Sequence, residues 1–498
     1  MKSPILGAAY VARSINAADN RLVNMYAEAT PDGGKTAAYF QRAPGIKNAT
    51  GFIGTGSGPV RGMWVARNVL YVVAGSVFYS VTATYSATAF DTTSYTLTVI
   101  ASNVAGTGPV SMADNGQQIF LATNPKGYVY NIDTGVFNQI GDPDFPGAVT
   151  VGYVNGYFVF NEPNSARVWV TALYDGNSID ALSFASAEAS PDNVVSLIVD
   201  HKEIWIFGNN STEVWYDAGQ PDYPLAPIQG AFLETGCAAP YSVAKMDNSV
   251  FWLAADARGY GMVYRARGYQ PQRISTHAIE YAIQSYATIS DAIAYTYQQD
   301  GHFFYVLTFP TANVTWVYDA ATNMWHQRGY IDTVTGQYLR HTPTCAAAYF
   351  NRVYVGSCFS GLIGRYDFNT YVEFANLPQG WLRSWRALPT GENTLKRTAH
   401  HSLQLDCEAG TSLNSVVGSP TEQPPLLVGL RWSDDGGHTW SNQVFQSVGA
   451  QGQTGKRVIW RRLGMTTKLR DRVYEISASG WGKTAIMGAE LLASGTNA

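Results

Sequence analysis

From Val60 onward the chain alternates short apolar runs with turn-forming residues in a recurring unit. Each unit opens with an apolar run, turns at Asn, Asp or Gly, and continues as an aromatic strand. It then turns again and ends in a strand carrying Val-Tyr or Val-Trp. The first unit comprises Val60-Arg-Gly-Met-Trp-Val, a turn at Asn68, Leu70-Tyr-Val-Val, Gly75 and Val77-Phe-Tyr. Further units begin near Val110, Val149, Val194, Tyr241, Asp291 and Cys345. Short runs rich in Val, Tyr, Phe and Trp and bounded by Asn or Gly read as β-strands. The starts lie roughly 40 to 53 residues apart, the period of four-stranded propeller blades. The pattern therefore predicts a β-propeller over residues 59–375, with seven blades if every unit counts and six if two weaker ones merge. Trp and Tyr at its strand positions are assigned to the core.

The two ends follow different patterns. Residues 1–58 read as an arm: one strand over Arg21–Glu28, a turn at Pro31-Asp32-Gly33-Gly34, an apolar Ala38-Tyr39-Phe40, and another turn at Ala43-Pro44-Gly45. So short a segment cannot bury a core alone and must pack on something downstream. A strand around Val23 to Tyr26 is expected to complete the last blade. Past Tyr371 the unit stops. Residues 376–498 carry strand patterns at His401–Cys407, Leu426–Trp432, Trp440–Val448, Arg457–Arg461, Arg472–Ser477 and Ala485–Leu492, with a Gly/Ser/Pro-rich loop from Gly410 to Pro425. These predict a small antiparallel β-sandwich.

One hairpin in the sandwich stands out. Ser433-x-Asp435-x-Gly437-x-Thr439-Trp440 is a complete Asp-box, S-x-D-x-G-x-T-W. Asp and Ser side chains can bond turn N–H groups, and Gly436 and Gly437 permit positive φ. Thr439 and Trp440 are expected to begin the return strand. The box is a folding device. It resembles the one repeated on sialidase propellers and also occurs in non-enzymatic β proteins. The alternative function it raises is a carbohydrate-binding or carbohydrate-cleaving propeller. Sialidases carry several boxes on their blades and a central arginine triad, whereas this box lies outside the blades. Arg61, Arg258, Arg265 and Arg273 do not assemble into a triad from sequence.

Composition supports the all-β reading: 48 Gly, 31 Tyr and 13 Trp, with only 14% charged residues. A net charge of −4 shows no global attraction to nucleic acid. Four scattered cysteines with no C-x-x-C spacing suggest reduced thiols rather than a zinc site. No apolar stretch approaches a membrane span. Gly54-Thr-Gly56-Ser-Gly58 leads into a strand, not a helix, so it reads as a turn. Ala450 to Arg457 lacks the first Gly and the Ser/Thr of a P-loop. Adjacent His400 and His401 point to opposite faces of a strand and cannot chelate one metal. No metal, cofactor or catalytic residue is assigned. Basic residues gather once, at Lys456, Arg457, Arg461, Arg462, Lys468, Arg470 and Arg472. They read either as a solvated sheet face or as a patch for an acidic partner or DNA.

The order of motifs at both ends carries a family resemblance. At the start stand Arg21-Leu-Val-Asn24-Met-Tyr26-Ala-Glu28, Ala43-Pro44-Gly45-Ile46 and Gly58-Pro59-Val60-Arg61-Gly62-Met63. At the end stand the Asp-box, Arg457-Val-Ile-Trp460-Arg-Arg-Leu-Gly464, Arg472-Val-Tyr-Glu-Ile-Ser477 and Ala485-Ile-Met-Gly-Ala-Glu490. Over Arg21 to Leu492 the chain resembles the packaged-DNA stabilisation proteins, or tail hub (nozzle) proteins, of short-tailed bacteriophages. The resemblance implies a non-enzymatic virion protein assembled as a homo-hexameric ring. Such a ring meets the portal-side adaptor, offers attachment for tail fibres or tailspikes and a plug or needle protein, and passes double-stranded DNA through its lumen. The stretch Val81 to Thr107 and the Gly410–Pro425 loop depart from the tighter family pattern.

Overall fold

The computed structural model describes residues 1–48, 58–86, 91–187, 192–220, 223–256, 259–389, 397–412, 426–466 and 472–495. Among them, seven antiparallel sheets follow one another around a ring. Their innermost strands are Val60–Ala66, Ser111–Asp114, Val151–Val154, Val194–Asp200, Ala244–Met246, Ile293–Gln299 and Pro343–Tyr349. Each touches the next, the fourth blade reaching the fifth through the 3-10 turn Pro240–Ser242, and the seventh touches the first. In six blades the innermost hairpin closes on two residues, both at positive φ. These are Arg67-Asn68, Asn155-Gly156, His201-Lys202, Asp247-Asn248, Asp300-Gly301 and Phe350-Asn351. Such turns match the right-handed twist of the flanking strands.

The last blade is closed by the N-terminal arm, but not by the strand expected. Pro343–Tyr349, Arg352–Ser357 and Ile363–Asp367 are consecutive, and the fourth strand is Gly45–Asn48, with Ile46 opposite Tyr366. Ile46 is buried and fills the space over Gly364, where no side chain competes with it. Gly45 lies so close to the Thr370 carbonyl that a Cβ would collide with it. Val23 has another task. The strand Leu22–Val23 runs parallel to the outer strand of the sixth blade at Gln327 and antiparallel to Trp381–Arg386. It thereby joins the sixth blade and half of the sandwich into one ten-stranded sheet.

The sandwich has two layers. One is Val458–Arg461, Thr398–Cys407, Ala485–Gly495, Ala38–Arg42 and Met25–Ala29, with Lys2–Ser3 paired to Ala485–Gly495. The other is Trp381–Arg386, Val473–Ala478, Leu427–Ser433 and Val444–Ser447. Between them lie Ile5, Leu22, Met25 and Phe40 from the arm, packed with Trp381, Trp385, Leu403, Trp460, Tyr474 and Ile486. The arm is thus part of the sandwich core and also the closing strand of the propeller.

Alternation along Thr398–Cys407 buries His400 and exposes His401. His400 Nδ1 lies 2.7 Å from the Tyr474 hydroxyl and Nε2 3.1 Å from Thr398 Oγ1. Burial, aided by Arg472, pushes its pKa down to about 3. The unfolded chain takes up this proton near pH 6.5. The stabilisation from neutral His400 is therefore complete above about pH 6.5 and is lost as pH falls toward 3. We expect the melting temperature of His400→Gln to drop less than that of the wild type between pH 7 and pH 4.5. An equal drop in both would show that His400 does not carry this dependence.

Candidate functional site

The Asp-box hairpin is built from its own side chains. Ser433 Oγ donates to Asp435 Oδ1 at 2.6 Å and accepts from the Gly437 N–H at 2.8 Å. Asp435 accepts from the Thr439 N–H at 2.9 Å and from its hydroxyl at 2.6 Å. Burial works to raise the Asp435 pKa, but the hydrogen bonds from Ser433 and Thr439 outweigh it and hold the carboxyl far below its usual value. Thr439 and Trp440 do not begin the return strand, which starts at Val444. The Trp440 indole instead donates to the Gly437 carbonyl at 3.1 Å, and its ring lies under the Arg431 guanidinium. Both glycines face the arm: a Cβ on Gly436 would collide with Asn16, and one on Gly437 would crowd Asp19. The box therefore seats the N-terminal segment. Asp435→Ala is expected to cost about 1 kcal/mol, read as a shifted urea midpoint with the oligomer mass unchanged.

The predicted basic patch divides into an inside and an outside. Arg472 is buried, and its Nε and Nη2 hold Asp434 of the Asp-box at 2.6 and 2.8 Å. Its Nη1 donates to the Leu463 carbonyl at 2.7 Å, and its guanidinium lies over Trp432. It is an internal brace and leaves the patch. Lys456, Arg457, Arg461 and Arg462 are exposed along the edge strand Val458–Arg461, where Arg457 bonds Gln404. Lys468 and Arg470 lie outside the described residues, as do Arg258 and most of the Gly410–Pro425 loop.

The propeller axis holds a cavity of about 470 Å³ lined by the innermost strands of all seven blades. Of the arginines considered for a sialidase-type triad, Arg61 donates to the carbonyls of Gly108, Gly75 and Ala105 at 2.6 to 2.9 Å. Arg265 faces Asp247 and the Phe251 ring, and Arg273 pairs with Glu280. These are separate structural contacts. A carboxylate–imidazole–phenol chain also exists. Glu373 lies 2.6 Å from His341 Nδ1, His341 Nε2 lies 2.7 Å from the Tyr366 hydroxyl, and that hydroxyl lies 2.6 Å from Tyr295. All four residues are buried, and burial raises both phenol pKa values well above 10. The chain ties the sixth and seventh blades together and presents no nucleophile to solvent. Among the described residues no group of His, Cys, Asp and Glu is placed to hold a metal. No helix among them is long and apolar enough to cross a membrane. All four cysteines are free.

Sequence reasoning missed the seam between the two halves. Asn24, buried and at positive φ, donates to the carbonyls of Gly329 and Gly380 at 2.7 and 2.5 Å and accepts from the Gly329 N–H at 3.0 Å. Beside it, Arg21 and Arg431 converge on buried Glu475. The available signal was a polar Asn, tolerant of positive φ, set among the apolar residues of Arg21–Glu28.

A ring of sheets closed by an N-terminal strand and fused to a sandwich through the same arm defines a two-part, nearly all-β protein. Residues 1–371 match the family model described as bacteriophage P22 Gp10, beta-propeller, and residues 380–493 the one described as bacteriophage P22 Gp10, beta-sandwich. The chain belongs to this family of structural tail proteins, which stabilise packaged DNA in the phage virion. No curated protein matches it.

Among solved structures it is similar to the extracellular domain of the one-component system BT4673 from B. thetaiotaomicron. The identity is 11% and the TM-score 0.43, over 74% of this chain and 45% of that one. It is also similar to the N-terminal domain of Nup159, at 10% identity and TM-score 0.41, over 70% of this chain and 99% of that one. The designed protein Ika8 is similar at 11% identity and TM-score 0.38, over 64% of this chain and 99% of that one. The chain thus spans less than half of BT4673's matched structure. At these scores the likenesses carry nothing further.

Proposed function

We propose that this chain is the repeating subunit of a tail nozzle. Six copies form a ring beneath the portal-side adaptor, continue the DNA channel, and offer surfaces to tail fibres or spikes and to a plug or needle protein. Family membership implies assembly with other virion proteins; the hexamer and the named partners are our reading. The observation that carries it is the size of the axial cavity. At about 470 Å³ it is too small to enclose a duplex, whose major groove alone is about 12 Å wide and about 8.5 Å deep. A subunit that retains DNA must therefore do so between copies, around a shared lumen. The exposed quartet Lys456, Arg457, Arg461 and Arg462 supports setting the sandwich edge against an acidic partner or the DNA itself. The role is geometric rather than catalytic, and the buried arginines and the buried Glu373–His341–Tyr366 chain support that reading.

The test is the mass of the purified assembly together with an image along its symmetry axis. A six-fold ring with an open, duplex-sized lumen is expected. A monomer or trimer that binds or hydrolyses a glycan would overturn the reading.

A further inference from the structure

The sandwich is attached at one side of the propeller. It joins through the outer strand of the sixth blade and through the arm, whose strand Gly45–Asn48 completes the seventh. In the ring of seven, the third blade stands three places from each of these, so it is the blade opposite the sandwich. Within the sandwich, Met25–Ala29 touches the sixth blade, and Val458–Arg461 is the far edge of the same sheet, past three intervening strands. The third blade and the strand Val458–Arg461 therefore mark the two ends of the molecule.

These ends carry opposite charge. From residue 110 to residue 220 the sequence has thirteen Asp and Glu against three Lys and Arg, so the blades opposite the sandwich are strongly acidic. Asp142, Asp144, Asp175 and Asp180 lie on or beside residues 171–183, which join the third and fourth strands of the third blade; Asp142 accepts from the Ile179 N–H at 3.0 Å. The ion pairs of this region among the described residues are Arg67–Asp133, Arg167–Glu162 and His201–Asp200, and they involve none of the four. The same connection leaves Leu173, Tyr174 and Leu182 53%, 60% and 79% exposed. At the other end Lys456, Arg457, Arg461 and Arg462 are exposed, and Arg461 lies across Ser402 from Leu492, itself 61% exposed. The acids nearby are already balanced. Glu490 stands opposite Lys2 in the sheet, and Asp406 pairs with Lys35 at 2.6 Å. Each end thus sets exposed apolar side chains among charges of one sign, and the two signs are opposite. A two-fold contact would set acid on acid or base on base, which is repulsive. Matched surfaces at opposite ends instead favour head-to-tail contacts, the kind that close into rings.

We propose that the acidic end of the third blade docks on the basic sandwich edge of a second copy of this chain, with Leu173, Tyr174 and Leu182 of one copy packed around Leu492 of the next. The proposal rests on the reading of the chain as a ring-forming nozzle subunit and names the two surfaces that meet in the ring. Charge and placement together decide the occupant. DNA fits the sandwich edge alone and leaves the acidic, apolar end of the third blade without a partner, whereas a second copy satisfies both ends with one repeated contact.

The test compares two full-length variants by assembly mass. Arg461→Glu with Arg462→Glu spoils one surface, and Asp144→Arg with Leu182→Ser spoils the other; all four positions are exposed. Each variant is expected to lose the ring and to run as a monomer with its melting temperature unchanged. An equimolar mixture of the two is expected to stop at a dimer, because only one intact pair of surfaces is left between them. That dimer also shows that both variants are folded. A ring in either variant, or no dimer in the mixture, would overturn the proposal. So would an Arg461→Glu, Arg462→Glu variant that keeps the ring and loses binding of duplex DNA, since the sandwich edge would then belong to DNA. A wild-type chain that forms no ring would refute the nozzle reading. A wild-type ring that survives both pairs of substitutions would refute this contact alone.

Discussion

Removal of residues 1–48 is expected to leave neither half of the protein able to fold. The arm supplies Ile5, Leu22, Met25 and Phe40 to the sandwich core, each at most 2% exposed. Without them Trp381, Trp385, Leu403 and Ile486 lose their packing partners, and Ala485–Gly495 loses both Lys2–Ser3 and Ala38–Arg42 as sheet neighbours. Each large apolar side chain contributes roughly 2 kcal/mol by burial. Four of them together approach the whole stability of an ordinary domain, about 5 to 15 kcal/mol. The propeller is damaged as well, because its seventh blade keeps only three strands and exposes the edge that Gly45–Asn48 covered. The truncated chain is expected to be insoluble or to be degraded by trypsin within the time the wild type survives intact. Co-expression of residues 1–48 as a separate chain is expected to restore part of the soluble yield. A soluble truncated protein with wild-type near-ultraviolet circular dichroism would refute this account.

Asn24→Ala is expected to cost about 3 kcal/mol. The substitution removes three hydrogen bonds and leaves the carbonyls of Gly329 and Gly380 and the Gly329 N–H buried without their partner. It also places alanine at φ 53°, which Asn tolerates better. The loss falls on the seam, since Gly329 belongs to the sixth blade and Gly380 to the segment entering the sandwich. The measurable consequence is a chain whose two halves unfold in separate transitions, detected by calorimetry, in place of a more cooperative wild-type melt. Asn24→Asp is expected to be comparably harmful, because it keeps the backbone preference but replaces the amide donor with a buried charge. If both variants melt like the wild type, the seam does not depend on Asn24.

Much of the architecture was readable from local pattern. The unit starts near Val60, Val110, Val149, Val194, Tyr241, Asp291 and Cys345 fall on or within a few residues of the innermost blade strands. The six sandwich runs correspond to strands in the same order. Turn composition was a partial guide. Asn155-Gly156 announces its conformation, whereas Lys202 and Phe350 adopt positive φ although neither residue type favours it. There, strand pairing on both sides imposes the turn. The basic cluster shows the limit of reading charge along the chain. Arg472 adjoins the other cations in sequence, yet it immediately precedes the central strand Val473–Ala478 and turns its side chain inward onto Asp434, while Arg461 sits on an edge strand and is exposed.

The sequence by itself determined the nearly all-β class, most of the strands with their aromatic core faces, and the succession of a propeller by a sandwich. All of these depend on the twofold alternation of side chains and on turn sterics within a few residues. Only the tertiary structure decided which arm strand closes the ring, that Val23 joins the sixth blade to the sandwich, and that Arg21 meets Arg431 over Glu475. Those outcomes depend on which sheet edges and buried groups meet across hundreds of residues. Short strands such as Leu22–Val23 and Gly45–Asn48 carry no local mark of the edge they will pair with, and the space each must fill decides it.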